Sequence, residues 1–229
     1  MAGVSCAHHT DAPPASGPAL FSGPIPIQPV TDPSLANIEA GFLIDGNGDN
    51  PSLVFCTERY AKDAAEAPSF HPVILRTAKG GWEKLDFNKE PFADGMAWIA
   101  VHESPKAKKI WAIAQWMRGD PGETLEVVLS EDAGWTWTRA ASIKKPWYMA
   151  ELQSFRMDPD GRGMIVLNIA NDAAGPEESI GYWRSHTNDW GKTWTSPRLE
   201  ERDSLEPVET LSREQPLPEL LKKVSAKRR

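Results

Sequence analysis

The chain has 229 residues, 40% of them hydrophobic and 25% charged, with a formal net charge of −7. This length can bury one substantial core or two small ones, and a transmembrane span is excluded by the lack of a long apolar run. The acidic balance argues against a nucleic-acid partner, whose footprint would be a basic face.

Residues 1–36 carry Pro13, Pro14, Pro18, Pro24, Pro26, Pro29 and Pro33. Proline suits neither a helix interior nor a central strand, so this stretch reads as a Pro-rich arm or linker. Cys6, within Val4-Ser5-Cys6, faintly resembles a lipoprotein cleavage site. That reading implies a lipid anchor at Cys6 and an extracytoplasmic location, periplasmic or surface; an N-terminus with no such role is the competing one. From residue 37 to 200 the chain alternates apolar runs with turn signals. The first group of predicted strands covers 41–44, 52–57, 73–77 and 82–86, the second 96–102, 110–117, 124–130 and 136–141, and the third 150–157, 163–170, 179–185 and 193–197. Cys56, inside the second run, reads as a small buried apolar residue. Residues 201–229 are charged and interrupted by proline, with one short amphipathic piece at 217–224, and read as an exposed arm or a short helix docked on a neighbour.

Two octets organise the middle of the chain. Ser130-Glu131-Asp132-Ala133-Gly134-Trp135-Thr136-Trp137 and Thr187-Asn188-Asp189-Trp190-Gly191-Lys192-Thr193-Trp194 share the pattern Ser/Thr-x-Asp-x-Gly-x-Thr-Trp. A carboxylate two residues after a hydroxyl can accept N–H groups across its own turn, and glycine allows a positive φ. The Thr-Trp pair is expected to open the next strand. Residues 77–84 keep a hydroxyl and a glycine of the pattern and read as a decayed third copy.

The octets resemble the Asp-box, or bacterial neuraminidase repeat, of sialidases and other β-propellers, with Ser130, Asp132, Gly134, Thr136, Trp137, Thr187, Asp189, Gly191, Thr193 and Trp194 as its structural positions. The resemblance implies an all-β chain of three four-stranded antiparallel blades, half of a six-bladed propeller. Three blades leave two flanks bare, and each should be apolar because repeat units cannot bury their own faces. Self-association as a homodimer forming one composite propeller, or a capping partner protein, would cover them; an open stack with the terminal arms over its ends is the alternative.

A sialidase-like site would lie on the face opposite the octets. The reaction needs Tyr paired with Glu, an Asp acid and arginines on the substrate carboxylate. Candidates are Glu58, Arg59 and Tyr60 in one predicted loop, Arg118 and Asp120 in a second, and Trp147, Tyr148 and Glu151 near a third. Arg59, Arg118 and Trp147 would contact ligand, while Tyr60, Glu58, Tyr148, Glu151 and Asp120 are the catalytic candidates. The set is short of one arginine, and the family's N-terminal Arg-Ile/Leu-Pro segment has no counterpart. The expectation is therefore a non-catalytic interaction module, with a glycoside hydrolase or glycan-binding protein completed by dimerisation as the alternative. Trp135 and Trp190, at variable octet positions, would form an exposed protein-binding patch. Asp45-x-Asn47-x-Asp49 starts like a calcium loop but lacks its glycine and glutamate, and the histidines have no ligand spacing, so neither metal nor cofactor is expected.

Overall fold

The computed structural model describes residues 20–28, 31–60, 69–79, 81–87, 89, 92, 95–117, 123–170, 180–200 and 213–227; Cys6, Arg118 and Asp120 lie outside them. The chain is all-β, with three antiparallel sheets and one α-helix among the described residues. The first sheet contains β1 (Ile25–Ile27), β2 (Ala40–Ile44), β3 (Leu53–Tyr60), β4 (Ser69–Ala78) and β5 (Gly81–Asp86). The second contains β6 (Met96–Ser104), β7 (Lys109–Trp116), β8 (Thr124–Ser130) and β9 (Thr138–Lys144), and the third β10 (Glu151–Met157), β11 (Gly163–Ile169), β12 (Gly181–Thr187) and β13 (Arg198–Glu200). A short strand β14 (Gln215–Pro216) and helix α1 (Leu217–Lys227) follow.

Side-chain alternation places the sheets in series. Along β7, Ile110, Ala112 and Ala114 join a core shared with Phe42, Leu53, Phe55 and Ile74 of the first sheet. Trp111 and Ile113 turn the other way and join a core shared with Phe155, Ile165 and Leu167 of the third. The first three strands of the second sheet are therefore buried on both faces, which is why they read as apolar runs, whereas the edge strand β9 is largely polar and exposed. The first core is rich in aromatics: Phe55 meets Trp98 and Trp137 edge-on at centroid separations of 5.8 and 5.5 Å.

The first sheet departs from four strands. Its order is β1-β5-β4-β3-β2-β14, so both terminal segments add an edge strand. Pro26 sits in the outermost strand, where a missing N–H costs no ladder bond. On this sheet's outer face Val54, Cys56, Val73 and Leu75 pack under Ile27, Leu35, Ile38 and α1, whose Leu217, Leu220 and Leu221 are buried. The expected bare apolar flank is thus apolar but covered, and a second copy closing a ring here would have to displace α1. At the other end the third sheet's outer face mixes polar and apolar residues, with Ser154, Val166 and Arg184 buried on it. Met164 pairs with His186 and Val166 with Arg184, and Arg184 binds Glu200 at 2.7 Å.

One further expectation is corrected at the turns. The Thr-Trp pairs belong to the corners and do not open strands, because Thr136 and Thr193 are held back by the octet carboxylates; β9 and β13 begin at Thr138 and Arg198. The 77–84 stretch forms a tight hairpin, with Ala78 paired to Gly81, and its lysine in place of aspartate leaves no acceptor to organise a larger corner.

Candidate functional site

The octets form two equivalent corners, each joining the third and fourth strands of its sheet. In the first, Asp132 Oδ1 accepts the Thr136 N–H at 2.8 Å and Oδ2 the Thr136 hydroxyl at 2.6 Å, while Ser130 Oγ accepts the Gly134 N–H at 2.7 Å. In the second, the matching distances are 2.9 Å from Thr193 N to Asp189 Oδ1, 2.6 Å from Thr193 Oγ1 to Oδ2, and 3.1 Å from Gly191 N to Thr187 Oγ1. Each tryptophan indole then donates to the octet glycine carbonyl, Trp137 at 3.2 Å and Trp194 at 3.0 Å. The residue before each glycine takes a positive φ, 61° at Ala133 and 66° at Trp190. Burial would raise both carboxyls, but the threonine hydroxyl and amide donors outweigh it and hold them below the ordinary aspartate value.

Each corner is also tied to the preceding sheet. Arg76 Nη1 donates to the carbonyls of Gly134 and Trp135, and its guanidinium lies 4.7 Å from the Trp135 ring centroid. Trp111 donates to the Trp190 carbonyl at 2.8 Å and stacks parallel to the Trp190 ring. Trp135 is 41% exposed, whereas Trp190 is half-buried by that stack. All these groups are spent on structure.

The opposite end of the sheets carries an open cleft of about 680 Å³. It lies where β2, β6 and β10 begin and β3 and β7 end, and the segment before β14 completes it. Its polar lining includes Glu39, Thr57, Arg59, Gln153, Arg213 and Glu214, and its apolar lining includes Phe42, Phe70, Trp98 and Leu152. Arg59 lies over the Phe70 ring at 5.4 Å from the centroid. Trp98 is fixed by donating its indole N–H to the Val73 carbonyl at 3.0 Å. Partial burial raises the Glu214 carboxyl above the ordinary value. The cleft thus sets cationic, carboxylate and amide groups beside the partly exposed Phe70 ring, whereas Trp98 and Phe42 are buried.

Arg59 is the one sequence-derived candidate among the described residues that lines this cleft. Residues 58–60 were read as a loop but continue β3, so Glu58 and Tyr60 face away from Arg59. Glu58 is almost wholly buried, ion-paired with Lys84 and accepting the Tyr60 hydroxyl. Burial pushes the Tyr60 phenol up, and the hydrogen bond to Glu58 adds to the shift. Glu151 is exposed, while its neighbours Leu152 and Gln153 take the cleft. Trp147 packs against the second core with its ring 4.8 Å from Tyr148. The Tyr148 carbonyl accepts the buried Lys145 ammonium, whose pKa burial lowers to about 8. Glu39, Gln153, Arg213 and Glu214 were missed; for Arg213 and Glu214 no local signal exists, since a distant strand pairing brings them in.

Among the described residues no three His, Cys, Asp or Glu side chains cluster as a metal site. No helix among them is long and apolar enough to cross a membrane. No family model matches the chain, and no curated protein matches it. Solved structures with a related course of the chain include a glycosyl hydrolase from Bacteroides ovatus, at 10% identity and TM-score 0.42 over 76% of this chain and 52% of that one. A putative glycosidase from Bacteroides thetaiotaomicron matches at 11% identity and TM-score 0.43, over 81% and 60% of the two chains. A structure from the GH130 family of mannoside phosphorylases, which contains glycoside hydrolases targeting β-1,2 mannosidic linkages in Candida mannan, matches at 12% and 0.42, over 88% and 64%. The chain thus spans less than two thirds of each of these proteins, and similarity at this level assigns it no activity.

Proposed function

We propose that the chain is a sialidase-like Asp-box module of three propeller blades that binds its ligand without turning it over, with the cleft as the binding site and a glycan as the ligand class. The alternation of β3 carries this reading. A sialidase-type reaction needs a Tyr-Glu pair beside the carboxylate-binding arginine, and here Arg59 lines the cleft while Tyr60 and Glu58 turn to the other face. Glu58 is moreover neutralised by Lys84 instead of being free to activate a phenol. The test is a fluorogenic sialoside together with an immobilised glycan panel. No turnover above buffer is expected, with glycan binding weakened at least tenfold in Arg59→Ala. Turnover that disappears in Tyr60→Phe would overturn the reading.

One observation favours a second reading, a glycoside hydrolase: Glu39 and Glu214 both line the cleft, and Glu214 has the raised pKa that suits a general acid. On this reading a panel of aryl glycosides contains a substrate whose turnover falls at least a hundredfold in Glu214→Gln, while its binding is kept.

A further inference from the structure

A second concavity lies away from the cleft, at the outer rim between the second and third sheets. This groove, of about 530 Å³, is lined by residues 141–146, which close the second sheet, and by Trp183, Trp194 and Pro197 of the third. Consecutive residues of β9 line it, not alternate ones, so the groove follows the edge of the strand. That edge is open: among the described residues β9 pairs with β8 alone.

The same molecule shows what such an edge accepts. In the first sheet the corresponding strand, β5, pairs with β4 on one side and takes Ile25-Pro26-Ile27 antiparallel on the other, Ile25 opposite Lys84 and Ile27 opposite Trp82. A short stretch with aliphatic residues on both sides of a proline therefore suits the outer edge of these sheets. Pairing by backbone bonds supplies affinity, and side pockets select the residues. In the second sheet the pocket walls are the two tryptophans, and Lys144 stands at the rim with its side chain 79% exposed. Its ion pair with Glu123, 3.5 Å apart and exposed on both partners, holds it only weakly.

We propose that this groove binds an extended segment of a partner protein, aliphatic residues flanking a proline and preceded by a carboxylate, which adds a fifth strand antiparallel to β9 and so places its acid against Lys144 at the C-terminal end of that strand. The irregular register where Ala140 is skipped, and the charges of Arg139 and Lys144, oppose pairing with a long flat strand. They leave room for a short segment carrying a negative charge.

The probe is a fluorescein-labelled synthetic peptide of residues 22–28 carrying Ser22→Asp, Asp-Gly-Pro-Ile-Pro-Ile-Gln, titrated into the whole chain and followed by polarisation, with amide hydrogen exchange to locate it. Saturable binding is expected, with added protection across 138–144 and none across 81–86. Ala141→Arg, which fills the groove, should weaken binding at least tenfold. Lys144→Glu, on a solvent-facing side chain that folding does not need, should weaken it at least threefold. A peptide that fails to bind overturns the proposal, as does equal binding of a scrambled sequence. Protection changes at 81–86, which would mean exchange with β1, and indifference to Lys144→Glu do so too.

Discussion

The connection between third and fourth strands is built in two ways in this molecule. In the second and third sheets an octet carboxylate gathers an amide and a hydroxyl four residues on, with distances that agree to within a few tenths of an ångström although the variable positions differ, Ala133 against Trp190 and Trp135 against Lys192. In the first sheet a two-residue hairpin takes its place, and stability comes from outside, from β1, β14 and α1. A corner held by local bonds is written in eight residues. A sheet held by remote segments is not, and its stability should respond to substitutions far from it in sequence.

Substitutions should separate the two modes, beginning with the largest effect. At Gly134, φ is +97° and an added Cβ would sit 2.4 Å from Leu53 Cδ1, inside the first core. Gly134→Ala should cost about 4 kcal/mol from strain and overpacking together, read from urea unfolding. Next, Leu220 is fully buried on the first sheet, so Leu220→Ala should cost about 3 kcal/mol through the cavity it leaves. That loss should appear first as faster exchange in β2 and β3, leaving the octet corners unchanged. Asp132→Asn should cost about 2 kcal/mol by weakening bonds from the Thr136 amide and hydroxyl, with Asp189→Asn similar or smaller at the end of the stack.

The smallest effect is a pH dependence. The folded Asp132 and Asp189 carboxyls lie below their unfolded value, so their contribution is complete above about pH 4 and is lost as pH falls through the folded pKa values. A urea midpoint measured from pH 6 down to pH 2.5 should therefore fall more in the parent chain than in Asp132→Asn/Asp189→Asn. Equal falls would mean that the corner carboxylates are not held by the bonds described.

What was legible in the sequence was what depends on neighbours along the chain. The octets, the apolar runs of the second sheet and the buried Cys56 follow from local hydrogen bonding and period-two alternation. The three sheets follow from them, whereas the opposite end as the place for a site was implied only by the resemblance of the octets to the Asp-box. What was hidden depends on length and distance. Extending β3 by three residues, from Thr57 to Tyr60, turns a loop trio into an alternating strand and separates Arg59 from its presumed partners. The proline-rich and charged ends looked like arms because nothing local announces that Ile25–Ile27 will pair with β5 or Gln215–Pro216 with β2. The helix was visible only as a short amphipathic piece, with its docking face undetermined.

The equivalence of the two corners is tested most directly by the exchange rates of the Thr136 and Thr193 amides, measured in the parent chain and in Asp132→Ala and Asp189→Ala. Both amides should be protected like strand amides in the parent, and each substitution should release the amide of its own corner by at least tenfold while sparing the other. Fast exchange of either amide in the parent chain, or release of both by one substitution, would contradict the account.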